Sequence, residues 1–244
     1  MSQLVIDIGN SRTKIAVFEG RGLVRADYIE HADKEVVLSY FDQYDIQQSI
    51  LSSVNEETSA WEEILKKRTA YIRFSAETGN GIEMRYKTPG TLGLDRLAGV
   101  IGAKALFPGR NCLVIDAGTC ITYDAIDKNS VYKGGSISPG LVMRLKAMHT
   151  FTGRLPLITW ADFEGLEGHD TVTSMLSGVV NGTLAEVVGL IEKYQSYYPD
   201  LQVILCGGDT NFFDRRLKNS IFAHTFKTEP DLVLIGLNEV IHQQ

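Results

Sequence analysis

Two short stretches carry residue types that suit the handling of a phosphate. Asp7-Ile8-Gly9-Asn10-Ser11 and Asp116-Ala117-Gly118-Thr119 each set an acid two residues before a glycine, with hydroxyl side chains after it. At a hairpin tip the glycine lets backbone amides approach an anion, and the carboxylate just before it can hold a metal ion directly or through water. Asp, Gly, Asn and Ser are also the ordinary residues of turns, so either stretch alone reads first as a plain turn. The repetition is what a plain turn does not explain. Between them, Gly93-Leu94-Asp95-Arg96 places an acid and a base side by side at the start of a helical pattern, where Asp95 fits a helix terminus. Arg96 offers a planar fork of donors suited to a carboxylate or a phosphate, or to a surface acid.

The elements that would position these residues follow from periodicity. Residues 3–8 and 13–19 read as strands around the polar turn Gly9-Asn10-Ser11, a third strand fits 22–30, and Val37, Tyr40, Phe41 and Tyr44 recur at helical spacing. Gln48 to Val54 reads as a strand, and Asn55 is placed to cap a helix carrying Trp61, Ile64 and Leu65, with Glu56 and Glu57 in its first turn. Leu94, Leu97, Ala98, Ile101 and Ala105 form an apolar stripe that ends at Pro108-Gly109. At Cys112 the order restarts, and Leu4-Val5-Ile6-Asp7-Ile8-Gly9 is echoed by Leu113-Val114-Ile115-Asp116-Ala117-Gly118, as an internal duplication would produce. The expected domains are therefore residues 1–109 and 110–244. The second continues through a loop at 152–170, a long helix over 171–197 and a strand at 201–206. Gly178 and Gly182, four apart in that helix, suggest close helix packing or a kink. Cys206-Gly207-Gly208-Asp209 reads as a turn or as a place where glycines admit a ligand.

Composition narrows the partners. The 244 residues are 44% hydrophobic and 22% charged, the balance of a globular chain with a substantial core. A formal net charge of -6 and the lack of a Lys/Arg run argue against nucleic acid. The N-terminus lacks a signal-peptide pattern and no stretch approaches the roughly 18 consecutive apolar residues of a membrane span, so a cytoplasmic address without membrane partners is expected. Cys112, Cys120 and Cys206 show no pairing or metal-ligand spacing and read as buried small hydrophobes in a reducing compartment. His149 and His169 read as surface residues.

The paired tips resemble the two phosphate motifs of the superfamily of acetate and sugar kinases, actin and heat-shock ATPases. The resemblance implies an α/β fold of two duplicated ribonuclease-H-like domains with ATP in the cleft between them. Within it, the chain is similar to type III pantothenate kinases through Asp7-Ile8-Gly9-Asn10-Ser11, Tyr86-x-x-Pro89 leading to Gly93-x-Asp95-Arg96, Asp116-x-Gly118-Thr119-x-x-Thr122-x-Asp124, and Gly134-Gly135-x-Ile137-x-Pro139-Gly140. Cys120 stands where that family commonly has Ala, and Ser11 where it often has Thr.

That resemblance implies phosphorylation of pantothenate by ATP, the opening step of coenzyme A synthesis, in a homodimer. Asp95 would be the general base toward the pantothenate hydroxyl; a helix start favours an anion there, and a weak base suffices when positioning and charge neutralisation dominate phosphoryl transfer. Arg96 would clamp the pantothenate carboxylate, and Tyr86, Gly93, Leu94 and Thr171 would complete the substrate site. Asp7, Ile8, Gly9, Asn10, Ser11, Arg12, Thr13, Lys14 and Thr119 would contact ATP, Asp7 would orient magnesium, and Asp116 would hold a monovalent cation, potassium or ammonium. Two rivals share these residues: a kinase of this fold acting on another small acceptor, and a non-enzymatic accessory relative.

Overall fold

The structure is a computed structural model that describes residues 1–9, 12–30, 32–53, 61–218 and 226–244. In chain order the elements are β1 Ser2–Ile8, β2 Thr13–Glu19, β3 Gly22–Ile29, α1 Lys34–Gln43, β4 Ile46–Ser53, α2 Glu62–Arg68, β5 Ala70–Arg73, β6 Glu83–Met84, a 3-10 turn at Pro89–Thr91, and α3 Leu94–Leu106. They continue as β7 Cys112–Ala117, β8 Cys120–Ile126, β9 Val131–Pro139, α4 Leu141–Thr150, α5 Thr171–Tyr197, β10 Gln202–Cys206, α6 Thr210–Lys218, β11 Phe226–Thr228 and α7 Leu232–Ile241. Two compact units result. The first holds residues 1–109, 128–133 and 231–244, and the second holds 110–127 and 134–230.

In the first unit the strands run β3-β2-β1-β4-β5, with β1 antiparallel to β2 and parallel to β4. Successive side chains of a strand point to opposite faces. Leu4 and Ile6 of β1 and Ile15 and Val17 of β2 therefore meet α1 and α2 in a core with Val37, Tyr40, Leu51, Trp61 and Leu65. The intervening residues Val5, Ala16, Phe18 and Ile50 are fully buried on the other face. There α7 lies against β1, β2 and β4. Asp7 shares the parity of Val5 and so belongs to that second face.

Helices α3 and α7 cross at backbone contact. A Cβ added to Gly236 would lie 1.9 Å from the Ala98 carbonyl oxygen, and one added to Gly102 would lie 2.4 Å from the Leu232 carbonyl oxygen. Only hydrogen side chains at both positions permit this approach. The crossing corrects the expected boundary at one end: the chain divides after Gly109, but residues 231–244 return to the first unit, because α7 completes the face of its sheet that α1 and α2 leave uncovered. Residues 128–133 return too, since β6 pairs in parallel with Val131 and Tyr132.

In the second unit the order β9-β8-β7-β10-β11 repeats the first, with β7 antiparallel to β8 and parallel to β10. Leu113, Ile115 and Ala117 take the places of Leu4, Ile6 and Ile8 and enter a core with Leu141, Leu145, Met175, Val180, Val187, Leu205 and Phe213. By length and composition α5 could cross a membrane, yet Leu176, Val179, Val180 and Ile191 are buried in this core. Its glycines do not behave as expected. Nothing lies within 4 Å of a Cβ at Gly178 or Gly182, and the helix runs unbroken through both, so neither close packing within the chain nor a break explains them.

The start of α2 also differs from expectation. Trp61 is the residue before the helix, and the first-turn acids are Glu62 and Glu63. Asn55, Glu56 and Glu57 lie outside the described residues. All three cysteines are free; Cys112 and Cys206 are buried, but Cys120 is only half-buried because it stands at the exposed end of β8.

Candidate active site

In the first unit the strand register builds a carboxylate centre at the end of β1. Asp7 stands opposite Lys14 on β2 and beside Ser52 on β4. It is 6% exposed. Burial raises its pKa above the ordinary carboxylate value; Lys14 and a hydrogen bond with Ser52 pull it back, and the negative charge of Asp95 adds to the rise. Asp7 and Asp95 are therefore within electrostatic reach, 88 positions apart in sequence. The Asp95 carboxylate accepts a hydrogen bond at Oδ1 from the Arg96 backbone N–H, 2.8 Å away, in the first turn of α3. A Cβ at Gly93 would come within 2.6 Å of that same oxygen, so glycine there makes room for the acid.

Arg96, next in line, turns inward. Its side chain is buried, and the guanidinium carbon lies 5.8 Å from the centre of the Tyr86 ring, which itself stacks on Tyr132 at 6.2 Å. A delocalised cation over an aromatic face is a favourable and orienting contact. Gly9 closes the first tip by donating its N–H to the Arg12 carbonyl at 3.1 Å. Arg12 is exposed, Thr13 buried, and Ile8, Gly9 and Lys14 half-buried. Asn10 and Ser11 fall outside the described residues.

In the second unit Asp116 repeats the position of Asp7, half-buried at the end of β7 between Thr122 and Cys206. Its tip is one residue shorter: Ile8 and Thr13 bracket residues 9–12, whereas Ala117 and Ile121 bracket 118–120. Gly118 donates to the Cys120 carbonyl at 2.9 Å, leaving Thr119 exposed at the apex. Two other glycines press on this tip. A Cβ at Gly140 would lie 2.1 Å from the Gly118 carbonyl oxygen, and one at Gly207, which has φ +96°, would lie 2.4 Å from Asp116 Oδ1. Cys206-Gly207-Gly208-Asp209 is thus the turn into α6, tied back by the Asp209 N–H to the Ala117 carbonyl at 2.8 Å. Thr171 is exposed as the first residue of α5, after a capping box formed by Asp170 and Thr173.

The profile of the family described as type III pantothenate kinase matches residues 3–193. The chain belongs to the type III pantothenate kinase family. A type III pantothenate kinase of Bacteroides fragilis (strain YCH46) is 41% identical over 242 residues, covering 98% of this chain and 97% of that one. One from Christiangramia forsetii is 41% identical over 248 residues, with 98% and 97% covered. One from Flavobacterium psychrophilum is 37% identical over 245 residues, with 99% of each covered. Among solved structures, a conserved putative Baf family transcriptional activator from Campylobacter jejuni superposes with a TM-score of 0.61 at 23% identity, covering 98% of this chain and 97% of that chain. An activator of 2-hydroxyisocaproyl-CoA dehydratase from Clostridium difficile with bound ADPNP gives 0.55 at 13%, covering 98% and 92%. These two likenesses establish the fold, which Lmo2764 of Listeria monocytogenes, a putative N-acetylmannosamine kinase, shares with a TM-score of 0.53 at 14% identity and 100% and 98% coverage.

Of the residues that the family resemblance singles out, the structure groups Asp7, Lys14 and Asp95 at one end of the first sheet, and Arg96 with Tyr86 beside the same helix start. Asp116 and Thr119 share the tip of the second unit. Gly140 and Gly207 lie in stretches the sequence already offers as motif or ligand-admitting turn, whereas Ser52 belongs to no motif; each of the three touches a tip. Ser52 was legible in principle, as the residue at the end of the strand parallel to β1. Which atoms Gly140 and Gly207 meet depends on packing across 22 and 91 residues, which the letters around them do not show. Among the described residues no three of His, Cys, Asp and Glu gather as a metal cluster. Magnesium is usually bound by one or two carboxylates together with substrate phosphates, and a buried Asp7 beside Asp95 is a donor set that a divalent cation would relieve.

Proposed function

We propose that the chain transfers the γ-phosphoryl group of ATP to the hydroxyl of pantothenate, giving 4'-phosphopantothenate and ADP, the first step of coenzyme A biosynthesis. The observation that carries the roles is the nearness of Asp7 and Asp95 in one unit, a buried acid suited to a metal ion and an exposed acid at a helix start suited to a proton. Asp95 accepts the hydroxyl proton as the oxygen attacks. Arg96, held against Tyr86, pairs with the pantothenate carboxylate, and Gly93, Leu94 and Thr171 complete that side.

Ile8, Gly9, Asn10, Ser11, Arg12, Thr13 and Lys14 contact the phosphates, with Thr119 contacting the nucleotide as well. Asp7, with Asp95 beside it, would hold magnesium, which when bound neutralises charge on the phosphates. Asp116 would hold potassium or ammonium. The reading includes a homodimer placed in the cytoplasm, whose interface the small-residue face of α5 (Ser174, Gly178, Gly182, Ala185 and Gly189) would suit; sedimentation at a single monomer mass across micromolar concentrations would remove it. The deciding assay couples ADP release to a dehydrogenase in potassium buffer and compares pantothenate, glycerol, acetate and no acceptor. Pantothenate-dependent release is expected, and release indifferent to pantothenate would overturn the assignment.

A further inference from the structure

Behind the Gly118-Thr119 tip stands a polar network that the roles above leave unused. Glu186 on α5 accepts at Oε1 from the Tyr123 hydroxyl, 2.9 Å away, and at Oε2 from Arg144 Nη2, 2.6 Å away. Tyr123 is fully buried, and the Glu186 and Arg144 side chains are 27% and 23% exposed. The same Arg144, on α4, donates from Nη2 to Ser138 Oγ at 2.7 Å and from Nε to the Pro139 carbonyl at 2.8 Å. One guanidinium thus ties α5 to the corner at residues 138–140, and its five fixed donors suit that task as a single ammonium would not. The corner in turn meets the tip at backbone distance, since Gly140 donates its N–H to the Thr119 carbonyl at 3.0 Å and has no room for a Cβ.

We propose that Glu186 and Arg144 are positioning residues that hold the 138–140 corner against the Gly118-Thr119 tip and so set how tightly that tip binds the nucleotide. The inference rests on the reading of Thr119 as a nucleotide contact. The pair acts through Gly140 and touches no substrate itself. Its charges reinforce the hold: Arg144, Ser138 and Tyr123 together keep the Glu186 carboxyl below its ordinary pKa despite the opposing effect of burial. Hydrogen bonds to charged partners in such partly dry settings are stronger than neutral ones.

The test measures ADP binding calorimetrically without pantothenate, on the full chain and on Glu186→Gln, Arg144→Met and the double variant. Glutamine keeps the shape of Glu186, and turning its amide oxygen to Tyr123 leaves an N–H2 facing Arg144. Each single variant is expected to weaken ADP binding about tenfold, and the double no further than either, because one linkage is being cut twice. Tyr123→Phe spares the Arg144 arm and should lower the melting temperature while keeping Kd within about twofold. Arg144→Lys keeps the charge without the fork, and serves if Arg144→Met does not fold; it too should weaken binding. Normal Kd in the variants, with only the melting temperature lowered, overturns the inference alone. A wild-type chain that binds no ADP overturns the nucleotide reading and the inference together.

Discussion

Replacing Gly236 with alanine tests how far the reaction depends on a contact remote from it. The new methyl would stand 1.9 Å from the Ala98 carbonyl oxygen, against an ordinary contact near 3.4 Å, so α3 and α7 must separate by about 1.5 Å. Both opposing atoms belong to helix backbone, and no flexible side chain can absorb the difference. Overpacking of this kind costs about 1–3 kcal/mol, and a backbone clash on both sides of the crossing belongs at the upper end. At about 2–4 °C per kcal/mol for a chain of this size, the melting temperature should fall by about 6–12 °C. Ala98 lies one helical turn from Asp95, so the same displacement moves the proposed base. A misplacement of about 1 Å can cost about a hundredfold in rate, and kcat in the coupled ADP assay should fall by that order at temperatures where the variant is fully folded. Gly153→Ala, with nothing within 4 Å of the added methyl, is the matched control and should change neither quantity. A Gly236→Ala protein with unchanged melting and unchanged turnover would refute the reasoning.

Asp95→Asn should lower turnover by about a hundredfold or more while leaving thermal melting intact, and near-normal turnover would remove the base role. Asp7→Asn should stabilise the ligand-free protein at neutral pH. The folded-state pKa of Asp7 lies above its unfolded value, so both states are protonated below about 3.8, and the penalty for the buried charge grows as pH rises through the folded value. The melting-temperature gain of the variant should therefore vanish on acidification toward pH 3.8, and a gain independent of pH would contradict the burial argument. Exchanging potassium for sodium should lower activity through Asp116, and equal rates in the two salts would count against a cation there.

Much of the fold was readable because its signals are local. The short apolar runs of β1 and β2 around a polar turn, the apolar stripe of α3 and the 27-residue span of α5 each declare themselves within a single element. The echo of residues 4–9 at 113–118 disclosed the repeat, and both copies do occupy the strand beside the antiparallel hairpin partner. What escaped notice depends on distant packing. Gly178 and Gly182 drew attention by spacing, yet the close helix crossing is made by Gly102 and Gly236, 134 positions apart and unremarkable in their own surroundings. The allegiance of α7 to the first unit has the same origin, because an apolar helix says nothing of which sheet it covers. At the candidate site the acids were visible as letters, whereas the coupling of Asp7 to Asp95 depends on strand parity and on where α3 begins.

The return of residues 231–244 bears on how the protein is made. During synthesis the first sheet emerges early, with Val5, Ala16 and Phe18 on a face that lacks the cover of α7 until that helix arrives. The ribosome must first add residues 110–230, a wait of about 6–24 s at 5–20 residues per second. The nascent chain thus carries a partly open apolar sheet through most of translation, and premature termination anywhere in the second half releases a product that chaperones and proteases would recognise.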